Sequence, residues 1–122
     1  MRENESDIKA MNQINWKIFT DSKSQAGAEK ILNRSVSSLS VPVEIGVIKL
    51  HRMGTFTCTF STELVEQPWS ECVFNSLELA QRVGRGWVLT GNIKDELDAW
   101  SSESSVSGVK NIHLLVLKNS RV

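Results

Sequence analysis

The stretch from residue 68 to residue 91, PWSECVFNSLELAQRVGRGWVLTG, leaves this chain fewer folds to choose from than any other part of it. Ser70 is placed to cap a helix on which Val73, Leu77 and Ala80 recur on one face, with Cys72, Phe74 and Val83 widening the stripe. Gly84 or Gly86 is expected to end that helix, and the apolar residues 87–89 read as a strand. A stripe this broad needs a sheet beneath it, so Trp87, Val88 and Leu89 are expected to belong to the sheet the helix covers.

The rest of the chain supplies such a sheet. Residues 14–20, INWKIFT, alternate with Ile14, Trp16 and Ile18 on one side, which reads as a strand with one buried face. Ser22 or Ser24 then caps a helix to about residue 33, carrying Ala28, Ile31 and Leu32. The serine-rich residues 35–41 before Pro42 read as a connection. Residues 43–51, VEIGVIKLH, are apolar on both faces when counted in strict alternation, which points to a strand inside the sheet. After a turn at Met53-Gly54, residues 55–62 set Phe56, Cys58 and Phe60 against Thr55, Thr57 and Thr59, the pattern of a hairpin partner with a core face and a wet face. Residues 92–110 fit either a helix through Ile93, Leu97 and Trp100 or irregular β, and the strand reading is preferred because residues 87–90 need a neighbour. Residues 112–117, IHLLVL, read as a buried strand.

The expected class is therefore α+β: a ferredoxin-like two-layer sandwich, β-α-β-β-α-β plus extra C-terminal strand, with two helices on one face of a mainly antiparallel sheet. Residues 1–11 read as a flexible N-terminal segment and residues 12–122 as a single domain, which is what a chain of 122 residues can build around one core. Neither an apolar leader nor a membrane-spanning run is present in the sequence, so a cytoplasmic location is expected. Lys plus Arg and Asp plus Glu both number 14, a balance that gives no global attraction to nucleic acid or to a membrane. The balance is uneven, however: residues 63–103 hold eight acidic side chains against three basic ones, so the second half is locally negative.

Chemistry-bearing motifs are scarce. Cys58 and Cys72 lack CxxC spacing and read as a buried pair of free thiols. His51, His113 and Cys58 have no metal-ligand spacing, and no cofactor or metal is expected. The serines carry no Gly-x-Ser-x-Gly, and Asp95, Glu96 and Asp98 read as a solvated turn rather than a catalytic carboxylate pair. Arg82 and Arg85 fall at a helix C-terminus, where the dipole favours cations and repels phosphate. Non-enzymatic function is the expectation. Of the four tryptophans, Trp16 and Trp87 read as core, while Trp69 and Trp100 read either as interface anchors or as rings folded back on the core.

At WSECVFNSLELAQRVGRGWVLTG and SGVKNIHLLVL the chain resembles small bacterial immunity proteins of the polymorphic-toxin and contact-dependent growth inhibition type. The likeness lies in size, in a lone α/β domain without catalytic residues, and in a Trp-bearing strand after the second helix. It implies tight contact with a cognate toxin, often a nuclease, and no nucleic acid or membrane partner. The surface expected to make that contact is Asp95, Glu96, Asp98, Trp100 and Glu103, joined by Glu66, Trp69 and Glu71. The alternative is a small-molecule sensor or regulatory domain that forms a homodimer through its sheet.

Overall fold

A computed structural model describes residues 13–118; the expected flexible segment 1–11 lies outside them. The alternation of INWKIFT is realised in full by β1 (Gln13–Thr20), whose even-numbered residues are buried and whose odd-numbered ones are half-exposed. This strand is the middle of the sheet, pairing antiparallel with β3 (Phe56–Glu63) on one side and with β8 (Val109–Leu117) on the other. Beyond β3 lies β2 (Val43–Leu50); beyond β8 lie β6 (Glu96–Ser101) and then β5 (Val88–Thr90). The order is β2-β3-β1-β8-β6-β5, with every neighbouring pair antiparallel. A separate two-stranded ribbon joins β4 (Gly84–Arg85) to β7 (Glu103–Ser104). The preference for strand over helix in residues 92–110 holds, and β6 is the neighbour that β5 required.

Two helices, α1 (Gln25–Leu39) and α2 (Trp69–Ala80), contribute their inward residues to one cluster with Ile14, Trp16 and Ile18 of β1, Cys58 and Phe60 of β3, and Ile112, Leu114 and Val116 of β8. The result is a two-layer α+β sandwich with helices on one face of an antiparallel sheet. The place beside β1 that the strand after the second helix would take is occupied by β8, the last strand among the described residues, while β5 and β6 extend the sheet past it.

Four local expectations are corrected. The first concerns α1, which runs on through the serine-rich residues read as a connection. Ser35 turns its hydroxyl back onto the Ile31 carbonyl at 3.0 Å, so a buried serine costs the helix no unpaired polar group, and fully buried Leu39 continues the apolar stripe. The helix starts at Ser24, whose Oγ accepts from the Gly27 N–H, and stops at Ser40 in the left-handed region.

The second correction concerns α2. Ser70 does not cap it; the chain enters at Pro68, whose carbonyl accepts from the Glu71 and Cys72 amides, and leaves at Gln81 before either glycine. Its closest face is Cys72, Ser76 and Ala80, flanked by Trp69, Val73 and Leu77, whereas Phe74 is 65% exposed on the outer side.

The third concerns the position of the 87–90 strand. Trp87, expected in that strand, precedes it and folds onto the core, while Val88 and Leu89, expected as apolar strand residues beneath the helix, are exposed at an edge of the sheet.

The last concerns β2, expected inside the sheet, which is the opposite edge. A bulge between Ile45 and Ile48 sets two residues of β2 opposite Thr59 alone, and this inverts the alternation. Val43 and Ile45 before the bulge, and Ile48 and Leu50 after it, therefore share the core-side face, and of the apolar side chains of β2 only Val47, in the bulge, is left off it. Gly46 is required there, because a Cβ would meet the Thr59 carbonyl oxygen at 2.9 Å. The amide of Val47 is satisfied by Thr59 Oγ1 at 2.8 Å.

Trp16 holds the middle of this arrangement. It is 2% exposed, stacks on its cross-strand partner Phe60 with centroids 5.9 Å apart, and donates its indole N–H to Thr62 Oγ1 at 3.0 Å. Trp16→Ala is expected to cost about 3–5 kcal/mol, and Thr62→Val, which orphans the indole N–H, about 1–3 kcal/mol. Urea unfolding monitored by circular dichroism measures both; a loss for Trp16→Ala no larger than that of a surface substitution would contradict this account of the core.

Candidate functional site

Because β1 buries one side completely, its other residues, Gln13, Asn15, Lys17 and Phe19, rise from a sheet face over which no described element lies. The pairing registers place residues on this open face in rows. Val88, Trp100, His113, Lys17 and Thr59 form one row; Thr90, Asp98, Leu115, Asn15, Ser61 and Glu44 form the next. Asn111, Phe19, Thr57 and Lys49 lie on the other side of the first.

Four rings meet here. The indole of Trp100 stacks on the His113 imidazole at 4.1 Å with an interplanar angle of 20°, Phe19 lies 6.0 Å from Trp100, and His51 meets the edge of Phe19 at 6.3 Å. The Lys17 ammonium sits 5.2 Å from the Phe19 centroid, a cation–π contact made along one strand. Asp98, diagonal to His113, accepts from its Nε2–H at 2.7 Å. That bond fixes the ring's orientation under the indole. Trp100 itself remains 39% exposed. Next to the rings, towards β2, a groove of about 620 Å³ is lined by Asn15, Lys17, Glu44, Ser61, His113 and Leu115.

An imidazole held by a carboxylate is half of an acid–base relay. Among the described residues no hydroxyl or thiol bonds to His113, and Cys58 lies on the core side of the sheet with its Sγ against the Ala28 carbonyl. His51 and His113 therefore do not share a face with Cys58, and no group of three His, Cys, Asp or Glu side chains among the described residues has the geometry to hold a metal ion. What the arrangement offers is a rigid aromatic platform with a polar rim, the composition of a recognition surface.

The residues expected at a partner surface divide into groups. Glu96, Asp98 and Trp100 alternate along β6 and share the open face. Asp95 stands at its rim, in the turn before β6, where Asn92 bonds its carboxylate. Glu103 is on the β4–β7 ribbon. Glu66 and Glu71 are exposed at the entry to α2, in the other layer, and Trp69 packs there against the core with its indole N–H on the Ile93 carbonyl at 2.7 Å. Arg82 donates to the Leu39 carbonyl and so ties the loop after α2 to the end of α1. Sequence reasoning missed Phe19, His113 and Lys17. Their only signal was an aromatic or charged residue at the outward positions of an otherwise well-alternating strand, and nothing local says that β1 and β8 bring them beside Trp100 of β6.

No family model, no curated protein and no solved structure matches the chain. None of its described helices is long and apolar enough to cross a membrane. Function therefore has to be argued from the residues of the site.

Two expectations separate this face from the core. Trp100→Ala should cost under about 1 kcal/mol of stability, and Asp98→Asn a similar amount, since the Asp98–His113 pair is partly solvated and such pairs contribute little; urea midpoints against Trp16→Ala test this. Burial pushes both thiols above their ordinary value of 9.0, with the Glu71 charge adding to the effect at Cys72. The native protein should consequently resist alkylation that goes to completion once it is unfolded. Because the fold favours the protonated thiols, their contribution to stability is fully present below pH 9.0 and is lost as the pH climbs through the raised values. An unfolding midpoint flat across that range would contradict it.

Proposed function

We propose that this chain is a non-catalytic binding protein of the immunity type, which neutralises a cognate toxin domain by contact through its open sheet face, in the cytoplasm. The observation that carries the reading is the exposed Phe19–Trp100–His113 cluster, braced by Asp98, on a face that no described element covers. Aromatic side chains held rigid before binding lose little entropy on association, and they dominate affinity where such faces bind proteins. Lys17 and Lys49 set against Glu44, Glu96 and Asp98 give a rim of mixed charge, suited to selecting one protein partner and poorly suited to a polyanion. The reading extends to the fold: taking β8 as the fourth strand, and the residues from β4 to β7 as an insertion, makes the sandwich ferredoxin-like with an added wing.

A second reading draws on the groove beside the rings. Its volume falls in the range of about 300–1,000 Å³ typical of small-molecule sites, and Lys17 and Glu44 would recognise an amphoteric ligand. Stabilisation of the protein by a metabolite, lost in Lys17→Ala, would favour that reading.

Co-expression with the product of a neighbouring reading frame that encodes a toxin domain tests the first reading. A stable complex is expected; Trp100→Ala and Asp98→Lys should each weaken it about tenfold or more, while Phe74→Ala on the outer face of α2 leaves it unchanged. Binding that ignores Trp100→Ala and Asp98→Lys would remove this face from consideration.

A further inference from the structure

The edge strand β2 presents a different surface. Natural edges are short, charged or broken, because a free row of backbone groups invites pairing. This one is eight residues long, and Ile45, Val47 and Leu50 on it are each more than half exposed, at 52%, 59% and 58%. Its only charged residues are Glu44 and Lys49. The bulge between them inverts the alternation, so Glu44, opposite Ser61, and Lys49, opposite Thr57, project from the same open face on either side of the bulge. Neither forms an ion pair with a described residue.

This pattern is self-complementary. Let a second β2 lie antiparallel to the first with a two-fold axis between Gly46 and Val47. Glu44 then stands opposite the partner subunit's Lys49, and by symmetry Lys49 stands opposite the partner subunit's Glu44. On the core-side face Val43 meets the partner subunit's Leu50 and Ile45 meets the partner subunit's Ile48. Every pair agrees in the face it occupies, which a regular strand would not allow in this register, because residues five apart would point to opposite faces. The two bulges meet at the axis, and the Val47 amide is already bonded to Thr59 Oγ1, so that N–H needs no partner across it. Sliding the copies by two residues breaks both ion pairs and sets each bulge against regular strand.

We propose that β2 is a homodimerisation edge, where two copies of this chain join their sheets in the register that pairs Glu44 with the partner subunit's Lys49. The occupant is a second copy because the charge order along β2 is complementary to its own reverse. An eight-residue edge makes a contact at the small end of stable interfaces, so the dimer is a concentration-dependent one. It uses none of Phe19, Trp100 or His113, though it engages Glu44 and Lys49 of the charged rim, and because it is read on the chain alone, without any partner, its failure and that of the function proposed above are distinguishable.

Sedimentation velocity on the full chain across a wide concentration series provides the test. Wild-type protein should shift from monomer to dimer as concentration rises. Glu44→Lys and Lys49→Glu, each acting twice in a symmetric contact, should each weaken the dimer by about tenfold or more. The double variant Glu44→Lys/Lys49→Glu should restore it, since the pairing is reciprocal. Both positions are exposed, and circular dichroism is the check that the variants fold. Carbodiimide coupling should in addition give a covalent dimer joined from Glu44 to Lys49. A wild-type chain that stays monomeric throughout overturns the proposal, as does a dimer indifferent to Glu44→Lys or a double variant as monomeric as the single ones.

Discussion

The contact between the Trp16 indole, the ring of Phe60 and the hydroxyl of Thr62 is the one on which the rest of this fold depends. It joins the central strand β1 to its neighbour β3 by the largest fully buried side chain among the described residues, and it satisfies the one polar atom that side chain brings with it. With β1 held against β3 in that register, Ile14, Ile18, Cys58 and Phe60 all point to the side where the helices lie. A slip of one residue would turn this whole set to water. The burial of Trp16 therefore also dictates which residues are left on the other face.

That other face follows from the same alternation. A strand that buries every second residue must display the rest, and β1, β6 and β8 display Phe19, Trp100 and His113 where threonines and serines would suffice for solubility. Trp100 and His113 are direct cross-strand partners, Asp98 fixes the imidazole from the diagonal position, and Lys17 holds to the ring of Phe19. None of these contacts is needed to close the core. A platform ordered in advance at so little gain to the fold is consistent with use in binding.

The edges of the sheet show how much one local irregularity can decide. Gly46 lies so close to the Thr59 carbonyl that no side chain fits, and the bulge it permits reverses the parity of β2. Counted in strict alternation, VEIGVIKLH has two apolar faces and belongs in the interior. With two residues set opposite one, four of its apolar residues share a face, both charges take the other with only Val47 left at the bulge, and it belongs at an edge. The error at α2 is of a related kind. Phe74 outranks Cys72 and Ser76 in hydrophobicity, but a helix lying close on a sheet presents its small residues to it, and the large ring of Phe74 is left on the outer side.

The amino-acid order alone settled the class of fold, the two helices, the core-facing residues of β1 and β3, and the presence of strand in residues 92–110 and 112–117, because period-2 and period-3.6 burial are local properties that a run of a few residues expresses in full. It also marked Asp98 and Trp100 as worth attention. Only the folded chain decided that β1 is central and β2 and β5 are edges, that β8 comes to lie beside β1, and that Trp100 meets His113 and Phe19 while Trp69, Glu66 and Glu71 stay in another layer. Those outcomes rest on registers between segments as far apart as β1 and β8. Such registers are set by the packing of whole faces against one another, and no single segment carries that information.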